Sequence, residues 1–201
     1  MVSQSIENIV RNQAASFTSQ VKYVAKNAKK EEEIHTEFER QLALIANDAG
    51  ITLRGKHEFT IGTGRVDSVY GCVIIEYKNP NDPASRLSAD VEDRGNQEVI
   101  HQIKKRFIDF EKDENRKLDS MLGIGCDGNY FVFVKYLNNK WNIKDPIEVN
   151  RYSVERFIWA LINMGKKGKA YTPENLAEDF GSESDLAKTE LEPFMKFCAK
   201  N

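Results

Sequence analysis

Between residues 4 and 28, Ile6, Ile9, Val10, Phe17, Val21 and Val24 recur mostly at three- and four-residue spacing, so one or two amphipathic helices are expected to pack onto a main body. The polar cluster NAKKEEE interrupts that pattern. It resumes from Glu31 to Asp48, where Ile34, Phe38, Leu42, Ile45 and Ala49 share one stripe and Gly50 follows as a stop signal. Beyond Gly50 the period changes from helical to strand-like. KHEFTIG, GRVDSVY and CVIIEYK are rich in β-branched and aromatic residues and are parted by Gly62 to Gly64 and by Tyr70-Gly71, which predicts an antiparallel meander. Residues 79–93, polar with two prolines, read as a long loop.

NQEVIHQIKKRFIDF then places Val99, Ile103, Phe107 and Phe110 on one helical face. SMLGIGCDGNYFVFVKYLNNKWNI supplies further strands, with turns at Asp127-Gly128 and Asn138-Asn139. Ser153 is placed to cap a helix running to Met164 and Gly165; Thr172-Pro173 opens another that stops at Gly181, and Pro193 limits a last one. This order predicts an α/β fold, a mixed sheet built on an antiparallel meander with helices on both faces. It divides into an N-terminal helical extension over 1–30, a core over 31–150, and a C-terminal helical extension or linker over 151–201.

A chain of 201 residues, 40% hydrophobic, is long enough to bury one substantial core. Its net charge of −2 argues against a strongly basic nucleic-acid binder that relies on its own phosphate contacts. Cys72, Cys126 and Cys198 are an odd set at unrelated spacings, which reads as free thiols in a reducing compartment. The start MVSQSIENIVRNQ has no basic and then apolar leader, and no apolar run approaches the roughly 18 residues of a membrane span, so a cytoplasmic protein without membrane partners is expected.

The costly feature is the charge in the segment GRVDSVYGCVIIEYKNP. Side chains alternate along a strand, so Glu76 and Lys78 share a face. A turn centred on Tyr70-Gly71 sets Asp67 opposite Ile74 and Arg65 opposite Glu76, which makes Asp67 and Glu76 diagonal neighbours on that face. Two carboxylates so placed, with few other ligands, suit Mg²⁺ or Mn²⁺ better than zinc. Lys78 is placed to orient a nucleophile beside a phosphate. An isolated ExK is usually an exposed strand, but the fully apolar CVII before Glu76 reads as a buried one whose polar end forms a site.

Residues 31–136 resemble the PD-(D/E)xK nuclease superfamily, with Val66-Asp67 at the PD position, valine replacing proline, and Glu76-Tyr77-Lys78 at (D/E)xK. The resemblance implies a restriction-endonuclease-like core and a Mg²⁺-dependent endonuclease acting on DNA, with Mn²⁺ able to substitute. In it Asp67, Glu76 and the Tyr77 carbonyl hold the metal, a helical glutamate supports it, and Lys78 positions the attacking water. Glu37 in HTEFERQL flanks the apolar stripe and fits that glutamate; Glu39 is the alternative, and Glu33 points further out. Many members carry a glutamine on the helix after the ExK strand, which Gln102 matches and Gln97 matches less well; Lys104, Lys105 and Arg106 follow it as candidate phosphate contacts.

The tail YTPENLAEDFGSESDLAK resembles the segment joining such a domain to a DNA methyltransferase core in restriction-modification and phage-defence proteins. A methyltransferase or helicase domain of the same polypeptide would then supply most of the DNA affinity. The rival expectation is a non-catalytic DNA-binding or scaffold module that keeps the fold. His35, His57 and His101 show no metal-ligand spacing, the GTG at 62–64 reads as a turn, and Trp141 and Trp159 read as core residues.

Overall fold

The computed structural model describes residues 6–62 and 64–164. The helices expected around Thr172-Pro173 and Pro193, the linker-like tail and Cys198 lie outside the described residues. The first apolar stripe forms one helix, α1 (Ile6–Asn27). It is followed by α2 (Glu31–Ala49), which Gly50 ends in the left-handed conformation at φ 62°. The meander is β1 (Lys56–Ile61), β2 (Gly64–Tyr70) and β3 (Val73–Tyr77). After the loop come α3 (Arg94–Glu114), β4 (Leu122–Cys126), β5 (Tyr130–Leu137), β6 (Lys140–Ile143), the short β7 (Ile147–Glu148) and α4 (Arg151–Met164).

The strands form a seven-stranded mixed sheet in the order β1-β2-β3-β4-β5-β6, with β7 also on β5. Every pairing is antiparallel except β3 with β4, which α3 connects as a crossover. Alternation along the strands sends Val73, Ile75 and Tyr77 into a core beneath α1, α2 and α4, where Phe17, Phe38, Phe131 and Phe157 pack ring against ring. The opposite face carries Ile74, Val132 and Val134 against Val99, Ile103, Phe107 and Phe110 of α3. Two glycines of β4 seat that helix closely, because a Cβ on Gly123 would lie 2.1 Å from Ile103 Cγ2 and one on Gly125 would lie 2.8 Å from Val99 Cγ2.

Four expectations change. The helices assigned to extensions belong to the body, since Phe17 of α1 and Phe157 of α4 are both fully buried in the same core as Phe38 of α2. Asn150, not Ser153, caps α4: its Oδ1 accepts from the N–H of Tyr152 at 2.9 Å and of Ser153 at 3.1 Å, while Ser153 Oγ accepts from the Asn150 N–H at 2.8 Å. The hairpin turn is Gly71-Cys72, closed by the pair Tyr70 and Val73, because Gly71 takes φ 55°. Trp141, expected in the core, is only partly buried, tilted against Phe107 and edge-on to Tyr136.

The long loop is tied down near its start and at its middle. Asp127 Oδ2 accepts from the Leu87 N–H at 2.9 Å, and Asn81 Nδ2 donates to Ala25 O and Ala28 O at the end of α1. Among the described residues no helix is long and apolar enough to cross a membrane.

Candidate active site

Shifting the turn by one residue at each strand moves the β2–β3 register by two, so parity survives and the charged residues stay together. Ser68 pairs with Ile75, and one step further Asp67 comes level with Glu76 instead of diagonal to it. There the ladder gives way to a side chain: Asp67 Oδ2 accepts from the Tyr77 N–H at 2.7 Å. On its other side the β1–β2 ladder pairs His57 with Ser68 and Phe59 with Val66 but skips Glu58 and Asp67, where Glu58 takes φ 51°. Asp67 therefore sits at a local break in the sheet with its carboxylate turned to the end of β3.

Glu76 closes β3 on the α3 side and is only 4% exposed. Burial, and after it the neighbouring Asp67 carboxylate, push it up to about 7 against the pull of Arg106 and Lys78. Arg106 Nε donates to Glu76 Oε1 at 3.1 Å, and its Nη2 donates to the Arg65 carbonyl at 2.7 Å. Lys78 is 7% exposed; its N–H donates to the Cys126 carbonyl at 2.9 Å, and among the described residues no hydrogen bond or salt bridge engages its side chain. Its charge acts on both Glu76 and Glu31. The Tyr77 side chain turns to the other face and stacks on His35 at 4.8 Å, which leaves only its main chain on the site.

Of the glutamates on α2, Glu31 in the first turn is coupled to Lys78 and Asp67, whereas Glu37 is engaged by Arg40 and Gln41. Partial burial pushes Glu31 up; Lys78 pulls it down, and Asp67, Glu32 and Glu98 push it further up. Glu33 fixes that first turn by accepting from the N–H of Lys29 at 2.9 Å and of Lys30 at 3.2 Å. Glu37 is spent on its own helix. Despite partial burial, hydrogen bonds from Arg40 at 2.7 Å and Gln41 at 2.8 Å hold its carboxyl below the usual range. Glu39, the alternative, joins a different group on the opposite sheet face.

From α3, Glu98, Gln102 and Arg106 line up at four-residue spacing on the flank that faces Glu76. Gln102 Nε2 donates to Glu98 Oε1 at 3.4 Å, while its Oε1 is buried without a partner. Gln97 instead donates to the Val91 carbonyl at 2.8 Å. The basic run does not form one patch, because consecutive helical residues point about 100° apart. Arg106 is internal, Lys104 Nζ lies 5.6 Å from the Trp141 ring centroid, and of the three only Lys105 is exposed.

Glu98 and the break opposite Glu58 escaped the sequence reading. The i, i+4 spacing of Glu98 to Gln102 was a visible signal for the first; the second has none, since a left-handed glutamate carries no sequence mark. No protein-family model, curated protein or solved structure matches the chain.

Proposed function

We propose that the cluster of Asp67, Glu76 and Lys78 is the active site of a divalent-metal-dependent endonuclease that hydrolyses DNA phosphodiester bonds, working within a restriction-modification or phage-defence system. The observation that carries this reading is the meeting of partly buried Asp67 with buried Glu76, beside a Lys78 whose side chain makes no hydrogen bond or salt bridge among the described residues, at the end of β3. The donor set fits Mg²⁺ or Mn²⁺. It is made of hard carboxylate oxygens, and the push of the Asp67 carboxylate on buried Glu76 is what a cation relieves.

Asp67, Glu76 and the Tyr77 carbonyl would hold the ion, with Glu31 at the rim. Such an ion polarises a phosphodiester and lowers the pKa of its water. The chain's own groups do the rest. Lys78 brings a positive charge to where negative charge grows on phosphorus and orients the attacking water. Gln102 Oε1, an acceptor without a partner, is available to a water or a substrate donor. Arg106 holds Glu76 in its rotamer.

The reading is tested by incubating the full chain with supercoiled and linear DNA, methylated and unmethylated. Mg²⁺ or Mn²⁺ is expected to support nicking or cutting, Ca²⁺ is not, and Asp67→Ala abolishes it. Cleavage with no metal requirement, or none by this chain or a longer polypeptide that contains it, rejects the reading in favour of a non-catalytic DNA-binding module.

A further inference from the structure

On the sheet face away from Glu76, three residues remote in the chain bring ligand atoms to one point. His35 and Glu39 lie four apart on α2 and so share a helical face, while His57 arrives from the edge strand β1. His35 Nε2, Glu39 Oε1 and His57 Nδ1 all lie within 4.8 Å of one another, with each histidine nitrogen 3.6 Å from the carboxylate oxygen. Ser68 Oγ of β2 sits between them, 3.0 Å from His35 Nε2, 3.0 Å from His57 Nδ1 and 3.1 Å from Glu39 Oε1.

A tetrahedral ion with bonds of about 2.0–2.1 Å holds its donors about 3.3 Å apart. Five of the six separations, 3.0 to 3.6 Å, bracket that edge length, and the sixth, between the two histidine nitrogens, is within 4.8 Å, so a small turn of the half-exposed His57 completes the set. The surroundings orient these donors as the outer partners of metal ligands do. Tyr70 Oη donates to Glu39 Oε2, leaving Oε1 for the centre. The Tyr77 ring stacks on His35 at 4.8 Å, and Tyr70 meets the His57 ring edge-on at 6.0 Å. His57, with a side chain 41% exposed, provides the way in.

We propose that His35, Glu39 and His57 form a second metal site, selective for Zn²⁺ or a similar borderline transition ion, with Ser68 Oγ at the fourth corner. Two imidazoles exclude Mg²⁺, which favours oxygen donors, so this ion differs in class from the one proposed beside Glu76. The site ties α2 to the β1–β2 hairpin, and β1 is an edge strand that exposes most of its residues. Because Ser68 directly follows Asp67, the ion fixes the break that presents that carboxylate. The proposal does not depend on the nuclease reading, since it concerns metal held on the other face of the sheet.

The test is a calorimetric Zn²⁺ titration of the full chain, stripped with chelator and carrying the isosteric changes Asp67→Asn and Glu76→Gln to silence the other carboxylates while keeping an oxygen for Arg106 and for the Tyr77 N–H. One Zn²⁺ per chain is expected, not displaced by excess Mg²⁺, and Co²⁺ in its place should give the intense visible bands of a tetrahedral site. His57→Ala, at a half-exposed position, and Glu39→Gln should each weaken binding by about 100-fold or more, and Tyr70→Phe, an outer partner, by roughly 10–100-fold. Absence of Zn²⁺ binding, binding unchanged in both His57→Ala and Glu39→Gln, or an octahedral Co²⁺ spectrum would overturn the proposal. The Co²⁺ spectrum is read on the chain with all four donors intact, so it decides even where a donor variant fails to fold.

Discussion

Arg106 Nε lies 3.1 Å from Glu76 Oε1, joining side chains that are 12% and 5% exposed, so the central carboxylate of the candidate site is already half of a buried ion pair. Breaking such a pair by removing one partner leaves a desolvated charge and costs about 3–5 kcal/mol. Arg106→Leu is therefore expected to lower unfolding free energy by that amount in urea, and adding Glu76→Gln should restore much of it. A loss below about 1 kcal/mol would show that solvent reaches Glu76 freely. Gly64 makes the room, because a Cβ there would lie 2.0 Å from Arg106 Nη1, so Gly64→Ala should reproduce part of the defect.

The shared face of Asp67 and Glu76 was legible in the sequence because strand alternation has a period of two, and a register error of two residues leaves it intact. Arg106 as an internal residue was not. Which part of KKR turns inward depends on how deeply α3 settles on Gly123 and Gly125, a tertiary matter. The apolar stripe of α2 was correct, yet choosing Glu31 over Glu37 requires knowing which flank crosses the end of β3. His35 and His57 looked unrelated because their spacing is set by sheet pairing through Ser68, which no local period records. The fold class was therefore readable from periodicity, and the site only where periodicity alone decides faces.

Glu76 also makes stability depend on pH. Its folded value of about 7 exceeds the ordinary 4.5, so between those values the folded chain binds more protons than the unfolded one. Stability from this group is complete below the unfolded value and is lost as pH rises through the folded one, a decline on the order of 3 kcal/mol. Thermal unfolding in chelator should show Tm falling between about pH 5 and pH 7.5, with a shallower fall in Glu76→Gln. Mg²⁺ should raise Tm more at the higher pH, where Glu76 is charged. Equal slopes for the two proteins would remove Glu76 as the source.

Glu31 and Glu37 can be told apart by function. Glu31 feels Lys78 and Asp67, whereas Glu37 is engaged by Arg40 and Gln41. On the proposed reading, Glu31→Gln should weaken Mg²⁺-supported cleavage several-fold, with its main effect on the metal concentration required. Glu37→Gln should leave cleavage unchanged and cost about 1 kcal/mol of stability, the value of a hydrogen-bonded helical carboxylate. The reverse pattern, read from metal titrations of the cleavage rate, would return Glu37 to the site.

Lys78 gives the sharpest separation between an enzyme and an inert relative of one. It is buried beside Glu76 and Glu31, which feel its charge, yet among the described residues no hydrogen bond or salt bridge fixes its side chain in a structural role. If that charge serves the reaction, Lys78→Ala keeps every proposed metal ligand and should bind Ca²⁺ or Mg²⁺ with unchanged affinity by calorimetry. Its fold should be retained, as thermal unfolding would show, since no side-chain hydrogen bond or salt bridge is lost among the described residues. Its cleavage rate should nevertheless fall by about 100-fold or more, the scale of losing one electrostatic stabiliser of a transition state. Metal affinity and rate therefore move independently in Lys78→Ala and together in Asp67→Ala. Undiminished cleavage by Lys78→Ala, in preparations free of contaminating nuclease, would assign the positioning of the nucleophile to another group.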